Sequence, residues 1–332
     1  MRIPRTHIFI LLGLIALVLI FLFVNYSADK IFLAKPVSFG VSYSPKYALE
    51  LGLDPKITFQ DILGNLQVKN IRLSAYWDEI EPTKDKFDFT DLDWYLAQAQ
   101  KQNTKVILAL GYKLPRWPEC RVPKWIYQED LKLLRERQLI MVGVVIDHFN
   151  SSSTISAWQI ENEPILEFGD CPKVDREFLK QEVAFVRSKT QKPIIITDAG
   201  ELRPWKTPMQ LSDIFGTTLY RVVETPFIGQ FQYPFKPYIY RIRSDLVRKI
   251  FAPKNQKTII SELQAEGWAS EPLKYLPIES QIKRFSLDQF RENVNFARKT
   301  GFPEAYLWGV EWWYYLSANG YPEYLEYAKG LF

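Results

Sequence analysis

The sequence predicts a (β/α)8 barrel, also called a TIM barrel, over residues 37–332, preceded by one transmembrane helix at the amino terminus. Beyond residue 36, short runs of β-branched and apolar residues alternate with segments of helical periodicity, and eight such runs can be counted. Several runs are almost continuously apolar, as in Lys105–Leu110, which is typical of parallel strands buried on both faces. No glycine-rich phosphate loop follows the first run, which disfavours an open nucleotide-binding sheet.

The predicted strands are short runs that end at charged residues, glycine or proline. The fourth run, Thr154–Ile160, stops abruptly at an acidic cluster followed by Pro164, which cannot continue a strand ladder. In chain order the eight predicted strands are Val37–Tyr43, Asn70–Ser74, Lys105–Leu110, Thr154–Ile160, Pro193–Thr197, Gly216–Tyr220, Lys257–Glu262 and Glu304–Trp308.

The predicted helices lie between these strands and are recognised by their apolar spacing. In Asp91–Gln102, for example, the apolar residues recur three and four positions apart, as one face of a helix requires. The predicted helices are Ile57–Leu66, Asp91–Gln102, Glu129–Asn150, Asp175–Thr190, a short helix near Met209, a helix from about Tyr238 to Ile250, and Leu287–Thr300.

The amino terminus carries an unbroken apolar stretch of 17 residues, from Ile8 to Val24, at the lower edge of what spans a bilayer. A cleaved signal peptide has a shorter apolar region and small residues before its cleavage site. Here the possible sites at Ser27 and Ala28 have Asn25 or Tyr26 two positions upstream. An uncleaved signal anchor is therefore the favoured interpretation.

The basic residues around this stretch predict its orientation only weakly. Arg2 and Arg5 precede it, and Lys30 and Lys35 follow it. We expect residues 1–7 to form a short cytoplasmic tail, residues 8–24 the single-pass anchor and residues 25–36 a linker. The barrel would then lie outside the cytoplasm.

Composition restricts the classes of partner. Apolar residues make up 47% of the chain, which is ample for a core of this size. The net charge of +4 comes without a long basic run, so the sequence predicts no nucleic-acid partner. We expect a monomer that needs neither a metal nor a cofactor. The 10 Trp, 18 Tyr and 22 Phe are numerous, and tryptophans in loops at strand ends would suit the apolar faces of sugar rings.

The chain has two cysteines, Cys120 and Cys171, each in a proline-containing loop after a predicted strand. If consecutive strands are neighbours, the two loops share one rim of the barrel. A disulfide between them is therefore a plausible prediction for a domain outside the cytoplasm. Two unrelated thiols are the alternative.

Two glutamates lie where a barrel places its catalytic groups, at the carboxyl ends of strands. Glu163, in Asn162-Glu163-Pro164, follows the fourth predicted strand, and Glu262 ends the seventh. Taken by itself, the first could equally be an acidic surface turn. Two carboxylates facing each other across a barrel mouth are what glycosidic cleavage requires, because one protonates the leaving oxygen while the other attacks the anomeric carbon or activates water.

Several further runs extend this pattern, and with them the chain resembles clan A glycoside hydrolases over roughly residues 37–315. Families 5, 35, 39 and 42 share parts of the pattern, and the resemblance selects none of them. It rests on the order and spacing of the two glutamates together with the runs Asn70–Leu73, Tyr76–Pro82, Phe87–Asp93, Lys105–Gly111 and Pro115–Trp117.

The resemblance implies a retaining double displacement. Glu163 would be the acid/base and Glu262 the nucleophile, on a β-linked oligosaccharide or polysaccharide. Asn162 would hold the sugar 2-hydroxyl, and Arg72 would orient the nucleophile, although an arginine there could also form an ordinary ion pair of the barrel.

Aromatic residues complete the implied site. Tyr220 would donate a hydrogen bond to the nucleophile, and Trp308 would form the platform beneath the sugar, although both could be core aromatics. Trp77 and Glu266 would add substrate contacts, the latter at a neighbouring subsite or the rim. Glu161 would turn to the same side as Glu163 or bond within the barrel wall.

Some features remain open. Many family 5 members carry histidines after the third strand and before the sixth-strand tyrosine, whereas His7 and His148 lie elsewhere. Glu311, Trp312 and Trp313 follow the eighth strand and would be either sugar contacts or packing residues. Transglycosylation, or sugar binding without turnover, are the alternatives to hydrolysis. The presence of both carboxylates disfavours a protein that only binds sugar, because binding does not require two opposed carboxylates.

Overall fold

The computed structural model describes Gly13 and residues 34–126, 130–201, 203–225, 229–253, 255–269 and 271–332. The predicted anchor, residues 8–24, and most of the predicted linker lie outside these residues, apart from Gly13. Among the helices that are described, none is both long enough and apolar enough to cross a membrane.

Eight parallel strands form a closed barrel, as the sequence predicts. The first and eighth strands pair in register from Ser38 with Glu304 to Ser42 with Trp308, and this pairing closes the sheet. The barrel strands are β1 Ser38–Ser42, β2 Asn70–Ser74, β3 Lys105–Leu110, β4 Ile155–Ile160, β5 Ile194–Asp198, β6 Ile214–Leu219, β7 Lys257–Gln264 and β8 Glu304–Trp308.

Helices surround the barrel, and they include the predicted helices with shifts of a few residues at their ends. The predicted helix Glu129–Asn150 begins at a residue, Glu129, that lies outside the described residues. The described helices are α1 Pro45–Glu50, α2 Pro55–Gly64, α3 Trp77–Ile80, α4 Thr90–Lys101, α5 Leu131–Phe149, α6 Arg176–Lys189, α7 Lys206–Leu211, α8 Pro237–Phe251, α9 Ile278–Arg284, α10 Leu287–Thr300, α11 Val310–Ala318 and α12 Glu323–Lys329.

The sequence analysis missed the short helices α1, α3, α9, α11 and α12, and also an antiparallel hairpin. This hairpin pairs Val222–Thr225 with Gly229–Gln232 directly after β6. Each of these elements is too short for its periodicity to stand out from the surrounding loop.

The interior of the barrel changes character along its axis. Its lower part is filled by apolar side chains from five strands: Ile107, Ala157, Ile195, Ile259 and Tyr306. Two positions further along β4 the inward side chain is the polar Gln159, which is fully buried. The polar site therefore begins above an apolar floor, at the carboxyl ends of the strands.

Candidate active site

The turn after β4 places the first candidate carboxylate. Glu161 and Glu163 have φ angles of 58° and 45°, a left-handed conformation that non-glycine residues rarely adopt. Hydrogen bonds hold this turn: the Asn162 N–H donates to the Lys113 carbonyl at 2.7 Å, and the Glu163 N–H donates to Thr197 Oγ1 at 2.9 Å. Strained backbone of this kind collects at functional sites.

Glu163 is almost completely buried in the barrel mouth. The Thr218 hydroxyl donates a hydrogen bond to Glu163 Oε1 at 3.0 Å. Burial raises the pKa of the Glu163 carboxyl well above its usual range, and the neighbouring charge of Glu262 raises it further. Glu163 is therefore suited to carry a proton at neutral pH and to donate it.

A β-bulge in β7 turns the second carboxylate into the barrel. Along β6, Thr217 pairs with Ile260 and the next residue, Thr218, pairs with Glu262, so one residue of β7 is extra. Ile259 points into the barrel and Ile260 packs outside it against the helices. Regular alternation would therefore turn residue 262 outward, and the bulge reverses it.

Both oxygens of Glu262 accept hydrogen bonds. Arg72 Nη1 lies 2.8 Å from Glu262 Oε1, and the Tyr220 hydroxyl donates to Glu262 Oε2 at 2.9 Å. Two donors aimed at the two oxygens hold this carboxylate in one orientation. The contacts that the resemblance implied for Arg72 and Tyr220 are thus present.

Arg72 is buried and joins four parts of the site. Besides Glu262, its guanidinium donates to Gln159 Oε1 at 2.7 Å, to Asn162 Oδ1 at 2.7 Å and to Ser42 Oγ at 3.4 Å. The nucleophile candidate and the residue before the acid candidate are therefore held by one rigid group.

Arg72→Lys is expected to lower kcat by about 10- to 100-fold and the free energy of unfolding by about 1–3 kcal/mol. Lysine keeps the charge, but a single ammonium cannot reach Gln159, Glu262 and Asn162 together. Enzyme assays and chemical denaturation would measure the two effects. Arg137→Lys is the matched control, because Arg137 is a buried arginine paired with Glu81 outside the site. An equal loss of kcat in both variants would contradict the role of Arg72.

The loop after β3 supplies site residues that the sequence analysis missed. Lys113 Nζ lies 2.7 Å from Glu119 Oε2 and 3.0 Å from the Asn162 carbonyl, and all three residues are buried. Asn162 Nδ2 donates to Glu119 Oε1 at 3.4 Å. Glu119 therefore accepts a hydrogen bond from the Asn162 amide, the group that the resemblance expects to hold the sugar 2-hydroxyl.

The same loop covers Trp308. The guanidinium of Arg116 lies 4.1 Å above the Trp308 ring and 4.0 Å from the Tyr47 ring, so it is sandwiched between them. Glu266 and Glu311 both pair with this guanidinium. The cavity left beside Trp308, Arg116 and Arg72 is about 10 Å³, which holds no more than one water molecule. In this arrangement the cavity is too small for a sugar, and Arg116 occupies the face of Trp308.

Glu266 is buried in the ion pair with Arg116 instead of lying open at the rim. Burial raises the pKa of Glu311 to about 7, although the charge of Arg116 opposes this shift. Across the described ranges, no three or more His, Cys, Asp or Glu side chains are grouped in a way that could hold a metal ion.

Other candidates lie away from the two carboxylates. Trp77 is completely buried and its indole donates to Glu81 Oε2 at 2.8 Å, so the prediction that it contacts substrate is wrong. Trp77 begins helix α3, which turns the ring into the core. Trp312 and Trp313 are also fully buried and are packing residues. Glu161 accepts hydrogen bonds from the Tyr112 and Lys113 N–H groups and so bonds within the barrel wall.

The predicted disulfide is not formed in the structure, but the two loops do share one rim. Cys120 and Cys171 lie side by side as thiols, and the hydrogen bond between them lowers the pKa of Cys120. Burial raises the pKa of Cys171. A lowered pKa favours the thiolate, which is the form that attacks a disulfide.

Treatment of the chain with oxidised glutathione is expected to join Cys120 to Cys171 and to raise the free energy of unfolding by about 2–4 kcal/mol. Mass spectrometry would detect the loss of two hydrogens, and thermal denaturation would report the stabilisation. Cys171→Ser should show neither change. A mixed disulfide with glutathione that persists in place of the internal bond would contradict this expectation.

Comparisons with known proteins support the resemblance to clan A glycoside hydrolases without selecting one family. A family model described as β-galactosidase, glycoside hydrolase family 42, matches residues 60–131. A search of curated proteins finds no match.

Three similar solved structures carry different names. A β-galactosidase from the Antarctic haloarchaeon Halorubrum lacusprofundi is 13% identical, with a TM-score of 0.58 over 82% of this chain and 52% of that one. A family 10 endo-β-1,4-xylanase from Gloeophyllum trabeum is 17% identical, with a TM-score of 0.54 over 83% and 84%. An exo-β-1,4-mannosidase from an Opitutaceae bacterium is 13% identical, with a TM-score of 0.54 over 90% and 59%.

At these identities the likeness shows the fold alone. The chain spans about half the length of the β-galactosidase that it matches. The barrel is thus the shared feature, while the sugar and the linkage have to be inferred from the site.

Proposed function

We propose that this protein is a membrane-anchored glycoside hydrolase that cleaves β-linked sugars with retention of configuration. One observation carries the proposal: a buried Glu163, whose pKa is raised, shares the barrel mouth with Glu262, whose two oxygens accept from Arg72 and Tyr220. One carboxyl is thus set up to hold a proton, and the other is held in place by two donors, as an acid/base and a nucleophile of retention need.

In the first step Glu163 donates its proton to the glycosidic oxygen while a carboxylate oxygen of Glu262 attacks the anomeric carbon. The bond to the leaving group breaks, and a covalent glycosyl-enzyme forms at Glu262. In the second step the Glu163 carboxylate takes a proton from water, and the resulting hydroxide oxygen displaces Glu262 from the anomeric carbon. Glu163 is then protonated again.

The location is part of the same proposal. The apolar stretch Ile8–Val24 would anchor the chain as a single-pass segment, with the barrel outside the cytoplasm. Protease treatment of intact cells that express the full chain would test this arrangement, because only an external barrel is accessible to the protease.

A panel of aryl β-glycosides and polysaccharides, incubated with the full chain in detergent, tests the activity. We expect turnover of at least one member, with the β-anomer formed first and observed by NMR. Products longer than the substrate would show transfer to a sugar instead of water. Binding without any turnover would contradict the hydrolase assignment.

A series of aromatic rings leads from the nucleophile to the rim. Tyr220 contacts Trp268, Trp268 contacts Phe168 and Phe168 contacts Trp117, with ring centroids 5.3, 6.0 and 5.7 Å apart. The Trp117 side chain is 59% exposed, whereas tryptophan side chains are highly buried on average. Exposed rings in such a row suit the faces of successive sugars.

Trp117→Ala is expected to raise KM for an oligosaccharide about tenfold and to leave kcat nearly unchanged, because the ring contributes binding at a distance from the reacting bond. Steady-state kinetics on substrates of increasing length would measure this. An aryl monoglycoside, too short to reach Trp117, is the control. A change of KM that is independent of substrate length would contradict the role of this ring.

A further inference from the structure

Helix α8 exposes an apolar stripe to solvent. Ile242, Leu246 and Ile250 are 42%, 56% and 67% exposed and lie four residues apart, so they form one line along the helix. Exposed single apolar residues are ordinary, but three in line on one helix make a continuous surface.

The barrel does not use this stripe for its core. The opposite face of α8 is the packed one: Ser244 Oγ lies 2.8 Å from Thr258 Oγ1 on β7, and the Tyr240 ring lies 5.8 Å from the Phe296 ring on α10. The helix therefore has one apolar face that holds it to the barrel and a second that points outward.

The segment that carries the outward stripe is rich in basic residues. The segment 236–257 contains a single acidic residue, Asp245, and seven basic ones: Lys236, Arg241, Arg243, Arg248, Lys249, Lys254 and Lys257. Three of these charges are engaged within the protein: Arg248 pairs with Asp245, Lys257 pairs with Glu304, and Arg243 lies over the Trp205 ring. Lys236, just before the helix, is exposed. Lys249 is exposed beside Ile250. A basic helix with an exposed apolar stripe is typical of helices that lie in the surface of an anionic membrane.

The chain enters the barrel close to α8. The Lys35 N–H donates to the Arg298 carbonyl at 3.0 Å, in the last turn of α10, which is the helix that packs beside α8. The guanidinium of Arg241 also lies against Gly301, directly after α10. Residues 25–34 separate the predicted anchor from this point, and ten residues span at most about 36 Å. A barrel tethered in this way keeps α8 within reach of the bilayer.

We propose that the stripe Ile242, Leu246 and Ile250 docks on the surface of an anionic phospholipid bilayer. The inference relies on the proposed anchor only for the tether that brings α8 to the membrane. Since α8 runs along the outside of the barrel, docking lays the barrel on its side. The catalytic mouth then opens along the membrane surface instead of pointing directly away from it.

A fluorescent reporter on the full chain tests this. Leu246→Cys is labelled with an environment-sensitive dye in a chain whose Cys120 and Cys171 are replaced by alanine. The matched control is Leu49→Cys, because Leu49 is 68% exposed on α1, which follows β1, whereas α8 lies between β6 and β7. Each protein is reconstituted in vesicles of phosphatidylcholine, with or without phosphatidylglycerol, and floated on a density gradient.

We expect the dye at position 246 to shift its emission to shorter wavelength in floated phosphatidylglycerol vesicles, and to lose the shift at high salt, while the dye at position 49 stays unchanged. Floated protein without a shift at 246 would overturn the docking and leave the anchor standing. Protein that fails to float would overturn both. A shift in detergent alone that grows with protein concentration would indicate a second copy of the chain on the stripe and would also overturn the proposal.

Discussion

Glu262→Gln is expected to lower glycosidase turnover by roughly 10⁴-fold or more. Glutamine has nearly the shape of glutamate: its carbonyl oxygen can still accept from Arg72, and its amide N–H can donate to the Tyr220 hydroxyl oxygen. Its neutral amide, however, cannot attack the anomeric carbon. The first chemical step is therefore lost while the fold is kept, which steady-state kinetics and circular dichroism would show together.

Glu182→Gln is the matched control for this variant. Glu182 is a fully buried carboxyl on α6 that accepts from Gln138, away from the mouth, so its substitution should leave turnover close to that of the native chain. Added azide can replace the missing nucleophile in Glu262→Gly and should then give a product of inverted configuration. Turnover by Glu262→Gln within tenfold of the native value would contradict its assignment as nucleophile.

Glu163→Gln is expected to lower kcat by about 10²- to 10⁴-fold on substrates whose leaving group needs a proton. Glutamine cannot release a proton to the glycosidic oxygen. For an activated leaving group such as dinitrophenolate the first step needs no acid, so the loss of kcat/KM, which reports that step, should be much smaller there. A loss that is the same for every leaving group would contradict the role of Glu163 as general acid.

The pH profile gives an independent measure of Glu163. Burial and the charge of Glu262 raise its pKa, so the native chain keeps the protonated form to higher pH than an exposed glutamate would. Activity should fall as the pH rises through this raised pKa, because the acid is then ionised. The same alkaline decline should be missing in Glu163→Gln on an activated substrate.

The fold and the positions of the two carboxylates could be predicted from the sequence because both depend on local patterns. Apolar runs of strand length predicted the eight strands, and the acidic residues that directly follow Ile160 predicted the end of β4. Arg72 and Tyr220 were placed by the resemblance, and both contact Glu262. Their catalytic roles remain predictions until the variants are measured.

The orientation of side chains was harder to predict from the sequence. Simple alternation along β7 would turn Glu262 outward, and only the bulge that Ser261 introduces reverses it. Trp77 was misplaced because the chain enters the one-turn helix α3 directly after the β2 loop, which turns its ring into the core.

Contacts made by the loop after β3 could not be predicted at all. Arg116 and Glu119 reach the site through backbone with φ angles of 82° and 65°, a conformation that nothing in their own residue types announces. Their partners, Trp308 and Asn162, are distant in the chain. The burial of Arg116 and Glu119 on either side of Trp117 therefore follows from the folded loop and cannot be read from the sequence.

The central claim is that Glu262 forms a covalent bond to the sugar. It is tested most directly by incubating the full chain with 2-deoxy-2-fluoro aryl glycosides, made for the sugars that the panel identifies as substrates. Peptide mass spectrometry then locates the trapped sugar. We predict one glycosyl group on Glu262, and none in Glu262→Gln. A sugar attached to another residue, or a product of inverted configuration with no adduct, would contradict the proposed mechanism.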